Sequence, residues 1–433
     1  TKMDPGRSMS AAAAATCNQI VDPAVYADQP TLDAAFAQLR AEDPLAWCEP
    51  EDFRPFWAVT KHADIMEVSR QNQLFTNGER EMLSYKHTED KVYGEYGQPH
   101  LLKTLVQLDD PLHFKLRHLT QEWFMPQNVK KREDGVRAIA KQFVDRMEDL
   151  GGTCDFQRDI ALHYPLRVIM QILGVPESDE PMMLKLTQEI FGAQDEDLSR
   201  NKDALEERDV EKGLASIQQT LAEFFMYFTA ITADRRANPR DDVSTVIANG
   251  MVDGEPIGQL EAMSYYIITA AAGHDTTSAS TGGGVLAMLQ DRAQLKKMMG
   301  DPKGMARTAV DEAIRWTTPV KHFMRTAHAD YEMRGKTIKE GESLLLCYPS
   351  GNRDEEVFED PFKFKVDRSP NKLISFGHGG HMCLGMHLAR LEMQIIYEEL
   401  FSRIKSFELA GDPTFIKANF VGGPKSIPVR YKF

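Results

Sequence analysis

Apolar residues recur at three-and-four spacing over most of the chain. The stretches "TLDAAFAQLRAE" (31–42), "VRAIAKQFVDRMEDL" (136–150), "YPLRVIMQILGV" (164–175), "IQQTLAEFFMYFTAITADRRA" (217–237) and "MARTAVDEAIRW" (305–316) each predict an amphipathic helix. Strand signals are few and short: "FWAVT" (56–60), "SLLLCYP" (343–349) and "SIPVRYKF" (426–433). "EMRGKTIKEG" (332–341) reads as a hairpin turning at Arg334-Gly335. The pattern predicts a mainly α chain with small β-sheets at the side, an α+β fold.

One apolar pattern is much longer than the rest. From Pro256 it runs to about residue 291, which at 1.5 Å per residue is about 50 Å, enough to cross a whole domain. Its middle, "AAAGHDTTSAS", places Gly, Asp, Thr and Ser among apolar residues. Glycine costs a helix interior about 1 kcal/mol, and Ser or Thr can bond back to the preceding turn and bend it. Local unwinding around something bound is expected there.

Composition changes this picture little. The chain has 433 residues, 42% hydrophobic and 27% charged, with a net charge of −14. That balance argues against a general nucleic-acid binder, which needs a basic face. No Pro/Gly/Ser-rich linker divides the chain; the polar stretch 192–213 reads as a solvated loop before a charged helix start. One large domain over residues 21–433 is expected. The opening "TKMDPGRSMSAAAAATCN" reads as a disordered tail (1–20), its alanine run being too short and weak for a leader. Five cysteines, an odd number without CxxC spacing, predict free thiols in a reducing cytoplasm. No apolar run approaches the ~20 residues that span a bilayer.

Candidate chemistry concentrates in "LISFGHGGHMCLGMHLARLEMQ" (373–394). A dinucleotide fingerprint fails, because Met382 stands where the third glycine should be. A zinc site from His378, His381 and Cys383 lacks a fourth partner at typical spacing. A cysteine nucleophile would need a base and an oxyanion site. A thiolate ligand to haem iron suits the surroundings best. Glycines permit close backbone approach to a flat group, and a helix N-terminus would bring Cys383 below the ordinary thiol pKa.

Phe376-x-x-Gly379-x-x-x-Cys383-x-Gly385 resembles the haem-binding signature of the cytochromes P-450. Glu312-Ala313-Ile314-Arg315 is similar to that family's ExxR pair, and Arg368 in "FKVDR" to its third partner. Ala272-Gly273-His274-Asp275-Thr276-Thr277 resembles the oxygen-activating segment, and His113-x-x-x-Arg117 the haem-propionate motif. The four motifs occur in the family's order, and the likeness spans residues 30 to 433. "VKHFMRTAHADYEMRG" and "SGNRDEEVFEDP" resemble the bacterial terpineol-hydroxylating branch.

The resemblance implies a single helical prism with haem b between the long central helix and the Cys383-bearing helix. It implies Cys383 as axial ligand, shielded by Phe376 within a loop shaped by Gly377, Gly379 and Gly385. His113, Arg117, Arg325 and His381 would bind the propionates, and Glu312, Arg315 and Arg368 would form a buried structural network. Asp275 and Thr276 would relay protons, with Ala272 and Gly273 leaving space for oxygen and substrate.

The implied pocket is Ala272, Val320, Phe323, Phe420 and Val421, with parts of 76–105 and 180–195 as lid. The polar segment 84–105 is long for a loop and is expected to set substrate choice. The implied activity is hydroxylation of a small hydrophobic compound, a monoterpenoid or small aromatic hydrocarbon, with O2. Electrons would come from a two-iron two-sulfur ferredoxin and its reductase, docking near Lys115, Arg117, Lys372 and Arg390. A haem-thiolate sensor without turnover is the alternative, and an intact Asp275–Thr276 pair speaks against it. A peroxide-driven relative would also lack that pair.

Overall fold

A computed structural model describes residue 7 and residues 10–433 of the chain. Some of its helices begin where the sequence supplies a cap. α1 (Ala11–Gln19) starts at Ser10, whose hydroxyl accepts from the Ala13 N–H at 3.1 Å. α2 (Gln29–Glu42) follows Asp28, with proline in its first turn, where a missing N–H costs nothing. In chain order come α3 (Lys86–Tyr96), α4 (Leu112–Gln121), α5 (Glu133–Asp149), α6 (His163–Leu173), α7 (Glu180–Phe191) and α8 (Val210–Ala237). α9 (Gln259–Ala272), α10 (Asp275–Gln290), α11 (Pro302–Thr317) and α12 (Met386–Arg403) complete the helices that build the site.

α10 packs along α11, and α12 lies against both α11 and α5. The contact is sealed by small and aromatic groups: Ala313 and Tyr397 are fully buried, and the Tyr397 hydroxyl donates to the Thr281 carbonyl at 2.9 Å. Beside the helices, β1 (Leu45–Cys48), β2 (Phe56–Val59), β3 (Phe75–Thr76), β4 (His322–Ala327) and β5 (Ser343–Cys347) form one sheet, in the order β1-β2-β5-β4-β3. β5 runs parallel to β2 and antiparallel to β4, with Leu344 opposite Arg325. The predicted hairpin pairs Tyr331–Met333 with Lys336–Ile338. Arg334 (φ 51°) and Gly335 (φ 72°) both take the left-handed turn that suits the twist of the two strands.

The structure corrects four sequence expectations. Residues 11–19 of the supposed tail are helical, with Ala13, Thr16 and Cys17 buried; residues 1–6, 8 and 9 lie outside the described residues. Cys17 and Cys48 are not free thiols but form a disulfide, with Cα atoms 5.6 Å apart, that joins α1 to β1. The central pattern is two helices, not one from Pro256: Glu255 and Pro256 lie in a short strand, α9 starts at Gln259, and the chain breaks at Gly273-His274. The segments 84–105 and 192–213 are only partly loop, since α3 occupies half of the first and a short helix (Lys202–Glu206) part of the second.

Candidate functional site

Cys383 lies three residues before α12 in a loop wound by nested turns. The N–H groups of Gly377, Met382 and Cys383 donate to the carbonyls of Ile374, Gly379 and Phe376 at 2.9, 3.1 and 2.8 Å. Gly379 takes φ 75°, and a Cβ there would lie 2.2 Å from the Ser69 carbonyl oxygen, so no other residue fits. At Gly385, the residue capping α12, a Cβ would meet nothing within 4 Å. Phe376 is half-buried, and its ring carries the Arg390 guanidinium at 4.9 Å.

Cys383 is exposed by surface area, yet protein surrounds its sulfur closely enough to desolvate it. Burial pushes its thiol up, against the opposing pull of the Gly385 N–H, Arg117 and Arg390. The expected fall below the ordinary thiol value is therefore not what the protein atoms alone produce. Desolvation outweighs the helix end, and a metal ion on the sulfur would remove the proton outright.

Four basic side chains face one another beside this thiol. The His113 and His381 rings are 3.9 Å apart. His381 is pushed strongly down by burial first, then by His113, Arg325 and Arg117. Arg117 has no acidic partner among the described residues, and His113 Nε2 is buried without a hydrogen-bond partner. Arg325 is buried; its Nη1 donates to the adjacent Met324 carbonyl at 2.8 Å, its side chain also bonds Tyr348, and Asp109 is a nearby anion. Two guanidiniums and two imidazoles that burial holds towards neutrality, with the Asp110 carboxylate 3.4 Å from His113 Nδ1 as a nearby protein anion, offer converging donors to an anionic group between them. A flat macrocycle with carboxylate arms, held by a thiolate, fits these donors.

The break between α9 and α10 holds the acid–alcohol pair. Ala272 is exposed at the end of a mostly buried helix, and the Thr276 hydroxyl donates to its carbonyl at 3.1 Å. Gly273 does not leave open space as expected. A Cβ there would lie 2.5 Å from Ile169 of α6, so the glycine permits helix packing. His274 is fully buried, with Nε2 2.7 Å from the Thr187 hydroxyl, and burial holds it neutral, down to about 3. Asp275 is pushed up to about 7 by burial. Its carboxyl lies 3.4 Å from His274 Nδ1, a neutral neighbour that does not offset the desolvation.

Glu312, Arg315 and Arg368 form one buried knot. Arg315 Nε donates to Glu312 Oε2 at 2.9 Å and Arg368 Nε to the same oxygen at 2.9 Å. Asn371 Nδ2 and the Lys365 N–H also donate to this carboxylate. The remaining guanidinium N–H groups reach the carbonyls of Asn352, Pro361, Glu359 and Lys363, tying α11 to the segment before the cysteine loop.

A cavity of about 1190 Å³ opens between α3, the end of α7 and α8, lined by Leu83, Val92, Phe191, Leu214, Leu221 and Phe420 among others. Both expected lid segments border it. Of the five expected pocket residues only Phe420 lines this cavity; Phe323 meets the Phe420 ring at 5.5 Å. Val320 and Val421 pair as an isolated bridge, and Ala272 is exposed. The expected basic docking patch is largely spent within the chain. Lys115 pairs with Asp253 at 2.6 Å, Arg390 with Asp311 at 2.8 Å, and Arg117 turns inward. Lys372 is exposed.

Sequence reasoning missed Glu392, a fully buried carboxyl beside Thr277 that burial pushes well up. A glutamate on the apolar face of α12, between Leu388 and Ile396, was the available signal. It also missed Arg353, buried on the Trp316 ring at 4.4 Å and donating to the Arg315 and Trp316 carbonyls.

The profile of the Cytochrome P450 family matches residues 304–426. Over 95% of this chain and 96% of the other, the sequence is 45% identical to Cytochrome P450-terp from Pseudomonas sp. The chain belongs to the cytochrome P450 family. It is also 29% identical to Linalool 8-monooxygenase from Pseudomonas putida, over 94% of this chain and 97% of that one. The solved structure of CYP108D1 from Novosphingobium aromaticivorans superposes with a TM-score of 0.88 at 43% identity, over 97% of this chain and 98% of that one. As a P450 the protein is a haem-dependent monooxygenase, an oxidoreductase, with the mostly helical fold and small sheets of that family. Among the described residues no helix is long and apolar enough to cross a membrane.

Proposed function

We propose that this P450 binds haem b through Cys383 and hydroxylates a small hydrophobic compound of the monoterpenoid class, using O2 and electrons from a ferredoxin. What supports the reading is the combination of an exposed thiol, a cluster of two guanidiniums and two imidazoles beside it, and an acid–alcohol pair at a helix break. Haem, once bound, supplies dioxygen activation and one-electron chemistry.

Each residue has a role that its surroundings support. His113, Arg117, Arg325 and His381 would hold the two propionates by charge-assisted hydrogen bonds. Phe376 and the glycine loop would keep water from the sulfur. Splitting dioxygen consumes two protons, which must reach the reacting oxygen and nothing else. The Thr276 hydroxyl donates to the Ala272 carbonyl, so its lone pairs remain free to accept from a proton-bearing oxygen in the cleft. Asp275, poised near neutrality, can take up a proton and pass it on. The mostly apolar cavity walls suit a terpene, as do the names of the two relatives. Ferredoxin would dock on the Cys383 side, with exposed Lys372 the remaining candidate contact.

Reducing the protein under carbon monoxide tests the centre: a thiolate-shifted Soret band is expected. Titrating α-terpineol, linalool and a small aromatic should then produce a high-spin shift, largest with the terpenoids. No shift with any of them would sink the substrate reading.

Thr276→Ala should leave the carbon monoxide spectrum intact while product per electron falls about 10-fold or more and peroxide rises correspondingly, the scale of a lost proton-transfer group. Unchanged stoichiometry would remove Thr276 from the relay.

Asp275 gives a pH signature. With the group near 7, the proton-loaded form dominates below pH 7 and falls about tenfold per unit above it. Turnover should therefore decline as pH rises through 7, and Asp275→Asn should be slower, by about 10²-fold, with that limb gone. The linkage runs the same way for folding. Because the folded value is raised, this group's contribution to stability is complete below the ordinary carboxyl range and is lost as pH rises through about 7. Matched pH profiles of turnover and melting in the two proteins check both.

A further inference from the structure

His322 is fully buried at the start of β4 and lies outside the four family motifs. Both of its ring nitrogens are committed to backbone groups of other segments. Nε2 accepts from the Leu83 N–H at 2.9 Å, and Nδ1 lies 2.9 Å from the Asn419 carbonyl oxygen. An N–H donor on one side and a carbonyl on the other leave one tautomer, with the proton on Nδ1. Burial holds the ring neutral, so it stays in that tautomer.

The two segments that it joins both contribute to the lining of the cavity. Leu83 lines the cavity and leads directly into lid helix α3. Next to it the Met324 N–H donates to the Glu81 carbonyl at 2.8 Å, so residues 81–83 lie along β4 with His322 as their last anchor. Phe420, next to Asn419, also lines the cavity, and its ring meets His322, Phe323 and Phe191 at 5.3, 5.5 and 6.3 Å. The Phe420 loop is zipped to the start of β4: the Lys321 N–H donates to the Phe420 carbonyl at 2.7 Å and the Gly422 N–H to that of Pro319 at 3.0 Å. The Asn419 N–H also donates to Gln194 Oε1 at 2.9 Å, just beyond α7. One side chain thus sets the spacing between the lid's root and the aromatic wall, although it lines neither.

We propose that His322 is a positioning residue that fixes the shape of the substrate cavity, and so the substrate size and orientation the enzyme accepts, by holding Leu83 and Asn419 at a fixed separation. This rests on the cavity being the substrate's, as read above, and on nothing about which substrate enters it.

Three variants of the holoenzyme separate the two hydrogen bonds. His322→Gln places a carbonyl near the Nε2 position and can keep the bond from Leu83. His322→Asn places an amide near the Nδ1 position and can keep the bond to Asn419. His322→Phe keeps the ring and loses both. Two measurements read them: amide exchange at residues 83 and 419–421, and the ratio of dissociation constants for imidazole and 4-phenylimidazole, a small and a large azole. Neither needs the natural substrate or turnover.

We expect the Phe variant to retain the shifted carbon monoxide band. Its Leu83 amide should exchange at least 10-fold faster, and its azole ratio should move at least 5-fold. Gln should restore protection at Leu83 alone, and Asn should restore order in 419–421 alone. Wild-type exchange and azole ratio in the Phe variant would overturn the proposal. So would equal changes in Gln and Asn that only follow lost melting temperature, which is the mark of a merely structural role. If the Phe variant fails to fold, the Gln and Asn pair still decides. Failure of terpenoids to bind the wild type would sink the substrate reading while leaving the exchange and azole results to stand or fall separately.

Discussion

Cys383→Ala is expected to abolish the thiolate-shifted carbon monoxide band and to lower hydroxylation by more than the roughly 10²–10³-fold that loss of one stabilising donor costs. The size of the effect follows from the absence of a substitute. Among the described residues the other free thiols are Cys154, pushed up to about 12 by burial, and Cys347, buried in β5 and likewise pushed up. Neither is part of the loop before α12. Haem held only by His113, Arg117, Arg325 and His381 would keep its carboxylate contacts and lose the electron-rich sulfur that tunes it. Circular dichroism should be unchanged, because an exposed side chain contributes little packing. A shifted band that survived the substitution would place the ligand elsewhere and remove the basis of the proposed function.

Glu312→Ala is expected to cost folding before it costs chemistry. The carboxylate is fully buried and is the shared acceptor for Arg315, itself fully buried, and for Arg368. Removing it leaves two guanidiniums uncompensated in the interior, a loss of about 3–5 kcal/mol for a broken buried pair. The knot anchors α11 to residues 352–371, immediately before the cysteine loop, so haem retention should fall along with the unfolding midpoint. Haem content and denaturant unfolding measure the two together. Lys141→Ala, which removes a pair exposed on α5, is the control and should leave the midpoint unchanged. Full haem content with a normal midpoint in Glu312→Ala would show that the ion knot is dispensable.

Helix and strand content and the four motifs were legible because they are local properties. The 3.6-residue period marked α2, α5, α6, α8 and α11, and the Arg-Gly turn marked its hairpin. Glu312 and Arg315 had to share a helix face at a spacing of three. The disturbance in "AAAGHDTTSAS" pointed to the break between α9 and α10 because Gly, Thr and Ser act on their own turn. Other features depend on residues far apart in the chain. Cys17 and Cys48 carry no spacing signal, and only the packing of α1 on β1 brings them together. Gly273 looked like room for a guest until Ile169 of α6 showed which side it faces. The buried acid Glu392 and the double anchor at His322 arise only where distant segments converge.

The sequence by itself determined the periodicities, the caps and the order of chemically telling residues, since these are set by neighbours within a turn or two. Tertiary structure decided the sign of the Cys383 shift, the near-neutral Asp275 and the walls of the cavity. Desolvation and convergence depend on which distant atoms exclude water from a site, and the one-dimensional pattern does not encode that directly.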